Sequence, residues 1–377
     1  MRGVWRWRMV VALVVLVPLA ARGGAVEKPR NIILIGWDGA QRNHVHECLD
    51  RGELPALKLL SEEGALVDID VITGATDTKA GWSQILTGYN PQVSGVYSNG
   101  RYRDVPEGYS VFERLKKQFG PDQFVCAAVI GKSGHCGEIK PPFRKPLADA
   151  EKEEPAAKGK KAARQPGAGK RKVGKVEEEN GVKFLVFGGS PYYTMHKSCD
   201  VWEYGLVLNE KVGSRAIQLL DQYKDKPFFF FVHFAEVDHS GHKHGENSTE
   251  YNDALISSDA WTGKIVAKLK ELGLYDKTLV YVTADHGFNE GATNHRYAPY
   301  VFLGTNDPEV RRAGMRQDIT PTILARFGLD LAGIQPPLDG EPLIQPATKP
   351  VQKAPEKGGR AKEPGKGKGG RAKKKAA

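Results

Sequence analysis

The feature that most constrains this chain is a near-continuous apolar run, NIILIG at 31–36, closed by Trp37-Asp38-Gly39. A run of this kind, with no polar alternation, is what a strand buried on both faces requires. Further strand-like runs lie at 66–72, 124–130, 182–187, 227–234, 278–283 and 300–303. Helix-like segments lie between and after them, at 55–63, 80–87, 202–223, 248–272 and 319–327, and Gly64 and Gly88 act as stop signals for the first two. Strands interleaved with helices predict an α/β protein, an α/β/α sandwich around a mostly parallel central sheet.

The formal net charge of +10 invites a nucleic-acid-binding reading, but its distribution argues against one. Residues 1–25, 151–179 and 346–377 together carry +16, which leaves the remainder of the chain at −6. The part able to fold is therefore mildly acidic. Residues 1–25 read as an export signal, with Arg2, Arg6 and Arg8 ahead of a short apolar run at 9–21, and this predicts a periplasmic or extracellular protein. The run is too short to span a bilayer comfortably, and four cysteines are too few for a disulfide-stapled module. Residues 150–180 hold almost no large apolar side chain and predict a disordered surface insert. The tail 346–377 repeats Lys, Pro, Gly and Ala, and reads either as a solvated tail or as an attachment to an anionic polymer or surface. The folded part is thus 26–345.

In a parallel sheet, ligands bind outside the carboxyl ends of the strands. Asp38 follows the run at 31–36. Asp238-His239-Ser240-Gly241-His242 follows 227–234, Asp285-His286 follows 278–283, and His295 precedes 300–303. Alone, Asp38-Gly39 reads as a turn, Thr78 as a helix cap and His295 as a structural histidine. Together, carboxylates and imidazoles delivered to one rim form a metal-binding pattern suited to zinc.

These residues resemble the alkaline phosphatase superfamily in its type I phosphodiesterase/nucleotide pyrophosphatase branch. The resemblance spans 31–343 outside the insert. It rests on a strand ending in Asp38-Gly39, Thr78 ten residues before Gly88, Asp-x-x-Gly-His-x-x-Gly at 238–245, Ala-Asp-His-Gly at 284–287, and His295 ahead of a strand. It implies a catalytic domain over 26–345 with two divalent metal ions, zinc by preference. Asp38, Thr78, Asp285 and His286 would hold one ion, and Asp238, His242 and His295 the other. Thr78 would be the nucleophile, activated by a metal and passing through a phosphothreonine intermediate. Asn99 would donate to a non-bridging oxygen of a small-molecule phosphate ester.

The sulfatase pattern of a modifiable Cys or Ser followed by Arg is replaced here by Thr78-Lys79-Ala80-Gly81-Trp82. No arginine neighbours Thr78 in sequence, which favours a diester monoanion over a monoester dianion unless a distant Lys or Arg folds into the site. Phosphodiesterase is therefore the expectation. The alternatives are a phosphomonoesterase, a sulfatase-like or phosphonate-hydrolase-like enzyme, and a non-catalytic domain attached to anionic surfaces.

Overall fold

A computed structural model of the chain describes residues 29–147 and 175–350. The segment 1–25, most of the insert and the tail from 351 onward lie outside the described residues. The strands, in chain order, are β1 Asn31–Trp37, β2 Ala65–Asp70, β3 Val125–Ile130, β4 Phe143–Pro146, β5 Lys175–Glu179, β6 Val182–Phe187, β7 Val201–Tyr204, β8 Phe228–Phe234, β9 Thr278–Thr283, β10 Tyr300–Thr305 and β11 Gly314–Met315. Eight of them form one sheet in the order β11-β2-β10-β9-β1-β8-β3-β7. Every pairing in it is parallel except those of β10, which runs antiparallel to both neighbours.

Helices cover both faces. They are α1 Arg42–Asp50, α2 Pro55–Glu63, α3 Thr78–Thr87, α4 Pro91–Ser94, α5 Val111–Phe119, α6 Asn209–Tyr223, α7 Glu236–His244, α8 Thr249–Glu271 and α9 Ile319–Arg326. Adjacent residues of a strand point to opposite faces, and β1 shows where each layer sits. Gly36 faces Trp82 of α3, whereas the Trp37 indole donates to Thr262 Oγ1 of α8 at 3.3 Å. The same alternation along β8 sets Phe229 against Phe112 of α5 and Phe230 against Tyr223 of α6. The fold is the predicted α/β/α sandwich.

Gly36 is where α3 comes closest to the sheet. A Cβ there would lie 2.2 Å from Trp82 Cη2, and Trp82 is fully buried. Gly36→Ala is expected to cost about 1–3 kcal/mol through overpacking, seen as a lower midpoint in chemical denaturation.

Three expectations need correction. The helix expected over 202–223 is two elements, because 201–204 pair with the free edge of β3 as β7. Gly205 and Val207 then take positive φ, at 78° and 65°, and α6 begins only at Asn209. The run 182–187 is a strand, but it belongs to a separate antiparallel sheet, β4-β6-β5. The insert expected to be disordered over 150–180 ends in ordered structure. Glu179 pairs with Val182 across Asn180-Gly181, whose φ values of 52° and 78° fit the Asn-Gly hairpin turn. The four cysteines are free thiols.

Candidate metal centre and nucleophile

Strand register assembles the site. Ile130, His233, Gly36 and Thr283 lie side by side across β3, β8, β1 and β9. Two residues beyond this row, three of those strands deliver Lys132, Asp38 and Asp285. The fourth turns into α7, whose first turn presents Asp238, the favourable end of a helix for a carboxylate. Thr78 enters from above as the first residue of α3, with Asp77 as N-cap. The helix start is pressed against the sheet, because a Cβ on Gly81 would fall 2.5 Å from Asp285 Cβ.

Two ligand clusters result. Asp238, His242 and His295 bring one donor atom each within 4.8 Å of one another, and so do Asp38, Asp238 and His286. Asp285 reaches the second group, with Oδ2 3.4 Å from His286 Nε2. The clusters differ in depth. The side chains of Asp38, Asp285 and His286 are 0% exposed, whereas that of His242 is 47% exposed at the mouth. Asp238 belongs to both clusters. His239 is exposed, and His244 turns to Glu250 at 3.4 Å, so neither joins the site.

The donor chemistry fits divalent cations. The Nδ1 atoms of His242, His286 and His295 face the backbone carbonyls of Thr293, Gly287 and Thr76 at 3.0, 3.0 and 2.6 Å. A carbonyl only accepts, so each Nδ1 carries the proton and each Nε2 presents a lone pair. His242 and His295 aim those lone pairs at each other, Nε2 to Nε2, across 3.1 Å. Asp238 Oδ1, Asp285 Oδ2 and His286 Nε2 are buried without any hydrogen-bond partner. Acceptors converging without donors are what a cation relieves. Burial pushes the His286 imidazole down to about 3, which keeps it neutral as a ligand must be. Burial, reinforced by Asp38 and Asp238, drives the Asp285 carboxyl well above the usual carboxylate range.

Asp38 is held from behind. Its Oδ2 accepts from His233 Nε2 at 2.7 Å and from Trp82 Nε1 at 3.4 Å, which leaves Oδ1 facing the centre. His233 is fully buried on β8 and is a residue the sequence reading did not assign a role. His233→Ala is expected to weaken metal binding ~10–100-fold, measured by competition with a chromogenic chelator.

The largest departure from expectation is Lys132. Its Nζ lies 2.7 Å from Asp38 Oδ1, 2.7 Å from Asp238 Oδ2 and 2.9 Å from Thr78 Oγ1, and its side chain is 9% exposed. Burial alone would lower its pKa, but Asp238, Asp38 and Asp285 outweigh burial and raise it, so it is an ammonium. The same ammonium, with His233, outweighs the burial that would raise Asp38 and holds that carboxyl well below its ordinary value. The premise that no cation stands by Thr78 is therefore corrected. The strand-end rule that picked out Asp38, applied to the run at 124–130, points to Lys132 as well.

Asn99 also comes close to Thr78. Its Oδ1 accepts from Lys79 N at 2.8 Å, and its Nδ2 lies 3.3 Å from His135 Nδ1. The amide thus bonds to the residue next to Thr78, with its donor end on His135. The adjacent Lys79 places its ammonium 3.6 Å from the centre of the Tyr102 ring.

Fold and site together define an α/β/α sandwich that carries clustered carboxylates and imidazoles at the carboxyl rim of its central sheet. The family model for type I phosphodiesterase / nucleotide pyrophosphatase matches residues 32–337, and the chain belongs to that family. Among curated proteins it is similar to mouse ectonucleotide pyrophosphatase/phosphodiesterase family member 1, 38% identical over 80 residues, covering 21% of this chain and 8% of that protein. It is also similar to rat steryl-sulfatase, 36% identical over 89 residues and covering 21% and 15%. A third relative is the 2,3-bisphosphoglycerate-independent phosphoglycerate mutase of Clostridium kluyveri, 30% identical over 131 residues and covering 32% and 24%. The matches thus span less than a quarter of each of these relatives. Among solved structures, a protein in the alkaline phosphatase superfamily from Vibrio parahaemolyticus aligns with a TM-score of 0.52 at 18% identity, covering 86% of this chain and 72% of that one. The Asp and His clusters at its centre are groups that could hold metal ions.

Proposed function

We propose that this protein is an exported phosphodiesterase that uses Thr78 as a covalent nucleophile. The observation that carries the proposal is the convergence of Thr78 Oγ1, Asp38, Asp238, His286 and His295 from separate elements on one small polar centre. Asp38, Thr78, Asp285 and His286 would hold one divalent cation, and Asp238, His242 and His295 a second. The imidazole–carboxylate donor set supports zinc. Bound cations would supply Lewis-acid stabilisation of the attacking and leaving oxygens.

The chain's own groups do the rest. The Thr78 Oγ–P bond forms as the P–O bond to the leaving alcohol breaks, and the hydroxyl proton leaves with that alcohol. Water then cleaves the phosphothreonine and restores the Thr78 proton. Asn99 Nδ2 would donate to a non-bridging oxygen, a role generally worth ~3 kcal/mol of barrier. The position of Thr78 at the start of a ten-residue helix adds the positive end of the helix dipole beneath the reacting phosphate. The arginines and apolar run within 1–25 support export, and the basic tail supports contact with an anionic polymer or surface.

The test is a panel of bis-p-nitrophenyl phosphate, p-nitrophenyl phosphate and p-nitrophenyl sulfate, with and without chelator. Diester turnover abolished by chelation and restored by zinc is the expected result. Diester turnover that survives exhaustive chelation would overturn the metal-dependent reading, and a protein inert toward both phosphates would return the chain to a binding role.

A further inference from the structure

We infer that the buried pair His44 and Glu246 latches the loop at 289–295 and thereby sets the affinity of the cation position at the mouth. Both are positioning residues, and the claim rests on the two-cation reading above.

The loop carries His295, and its Thr293 supplies the carbonyl that fixes the His242 ring. It has little apolar support, since no residue from 289 to 297 is buried and Glu290, Gly291, Thr293 and Asn294 are exposed. Polar ties must therefore hold it. Asn289 and Asn294 bond to each other through backbone and side chain, at 3.0 and 2.8 Å, which shapes the turn without anchoring it. Thr76 holds the end at His295. The tip is held by Glu246, whose backbone N–H donates to Ala292 O at 3.1 Å and whose Oε2 accepts from Gly291 N at 2.9 Å.

Glu246 is fixed in turn by α1. Its Oε1 lies 2.8 Å from His44 Nδ1, and the His44 and Glu246 side chains are only 8% and 3% exposed. The other ring nitrogen, His44 Nε2, faces Asn252 Oδ1 at 3.4 Å, an oxygen that also accepts from Arg51 at 2.7 Å. A carboxylate and an amide oxygen only accept, so both ring nitrogens carry protons and His44 is an imidazolium. Burial would lower its pKa, but Cys48 and Glu246 outweigh burial and raise it to about 10. The Tyr251 ring packs against His44 with centres 5.1 Å apart, and its hydroxyl donates to Gly39 O and accepts from Gln41 N. A charge pair thus ties the loop to the segment that follows Asp38. The buried cluster has no need of this tie, because Asp38, Asp285 and His286 stand directly at the ends of β1 and β9.

The test is zinc affinity of the full chain, read by competition with a chromogenic chelator and by metal content after dialysis, with no turnover required. The wild type should bind two ions. Glu246→Ala should weaken the mouth position ~10–100-fold and leave the buried one within ~3-fold, the pattern expected of His242→Ala. His44→Ala should do likewise, and the double variant should lose no more than the worse single one, because paired groups act as a unit. Circular dichroism of the metal-free proteins should superimpose on that of the wild type. Should the alanine variant unfold, Glu246→Gln keeps the shape and an acceptor for Gly291 N without the charge, and it should weaken the mouth position at least ~3-fold. Folded variants that keep both affinities, or lose both equally, would overturn the latch, and additive losses would overturn the pair. Failure of the two-cation reading looks different, since the wild type would then bind fewer than two ions.

Discussion

Replacing Thr78 by alanine is expected to lower turnover of phosphate esters at least ~10³-fold while the protein stays folded, because a group acting as the covalent nucleophile has no substitute nearby. The hydroxyl sits on the first residue of α3, so its removal disturbs neither the Asp77 N-cap nor the contact of Gly81 with Asp285. Thr78→Ser keeps an oxygen at the same place and should retain most of the activity. Two further observations would accompany the loss. Acid quenching of the wild-type protein during turnover of a ³²P-labelled ester should trap label on Thr78, and none should be trapped on the alanine variant. Wild-type rates in the alanine variant would mean that water attacks directly and that Thr78 is only a helix terminus.

Asp238→Ala should be the most damaging change at any single ligand. Asp238 is the one residue common to both clusters. Its Oδ1 lies 3.4 Å from His242 Nε2, 3.7 Å from His295 Nε2 and 3.9 Å from His286 Nε2, while Oδ2 faces Lys132 at 2.7 Å. Losing it removes a proposed ligand of the cation at the mouth and a carboxylate that also faces His286 of the buried cluster. With each ion contributing several kcal/mol to the transition state, a drop of ~10⁴-fold or more follows. His242→Ala is the matched control, because His242 belongs only to the cluster at the mouth. It should release one ion per chain and leave the buried one. Metal stoichiometry by plasma emission after dialysis distinguishes the two variants. If Asp238→Ala binds as much metal as the wild type, the shared-ligand geometry is wrong.

Several features were legible before any coordinates. The apolar runs at 31–36, 227–234 and 278–283 are β1, β8 and β9 to within a residue, because a strand buried on both faces leaves no room for polar positions. Asp38, Asp238 and Asp285 could be found because they follow those runs directly. Where the sequence misled, the deciding interaction lay elsewhere in the chain. Val201, Trp202 and Tyr204 are strand-forming types, but the run is only four residues long, and what makes it a strand is the open edge of β3, about 75 positions earlier. The small β4-β6-β5 sheet went unread for a nearer reason, the Asn180-Gly181 turn, whose left-handed backbone requirement was there to be seen.

What the sequence by itself determined is the layer architecture and the chemical types of the ligands, since both follow from local hydrophobic pattern and from which residues end each run. What only the tertiary structure decided is adjacency. Strand order places β3 beside β8 and β8 beside β1, which brings Lys132 to Asp38 across 94 positions, and the packing of α3 on the sheet brings Thr78 to it across 54. The physical reason is that electrostatic interactions depend on separation in space and on burial, neither of which is encoded in distance along the chain. A lysine after a strand is unremarkable until its neighbours are two buried carboxylates and the oxygen proposed to attack phosphorus.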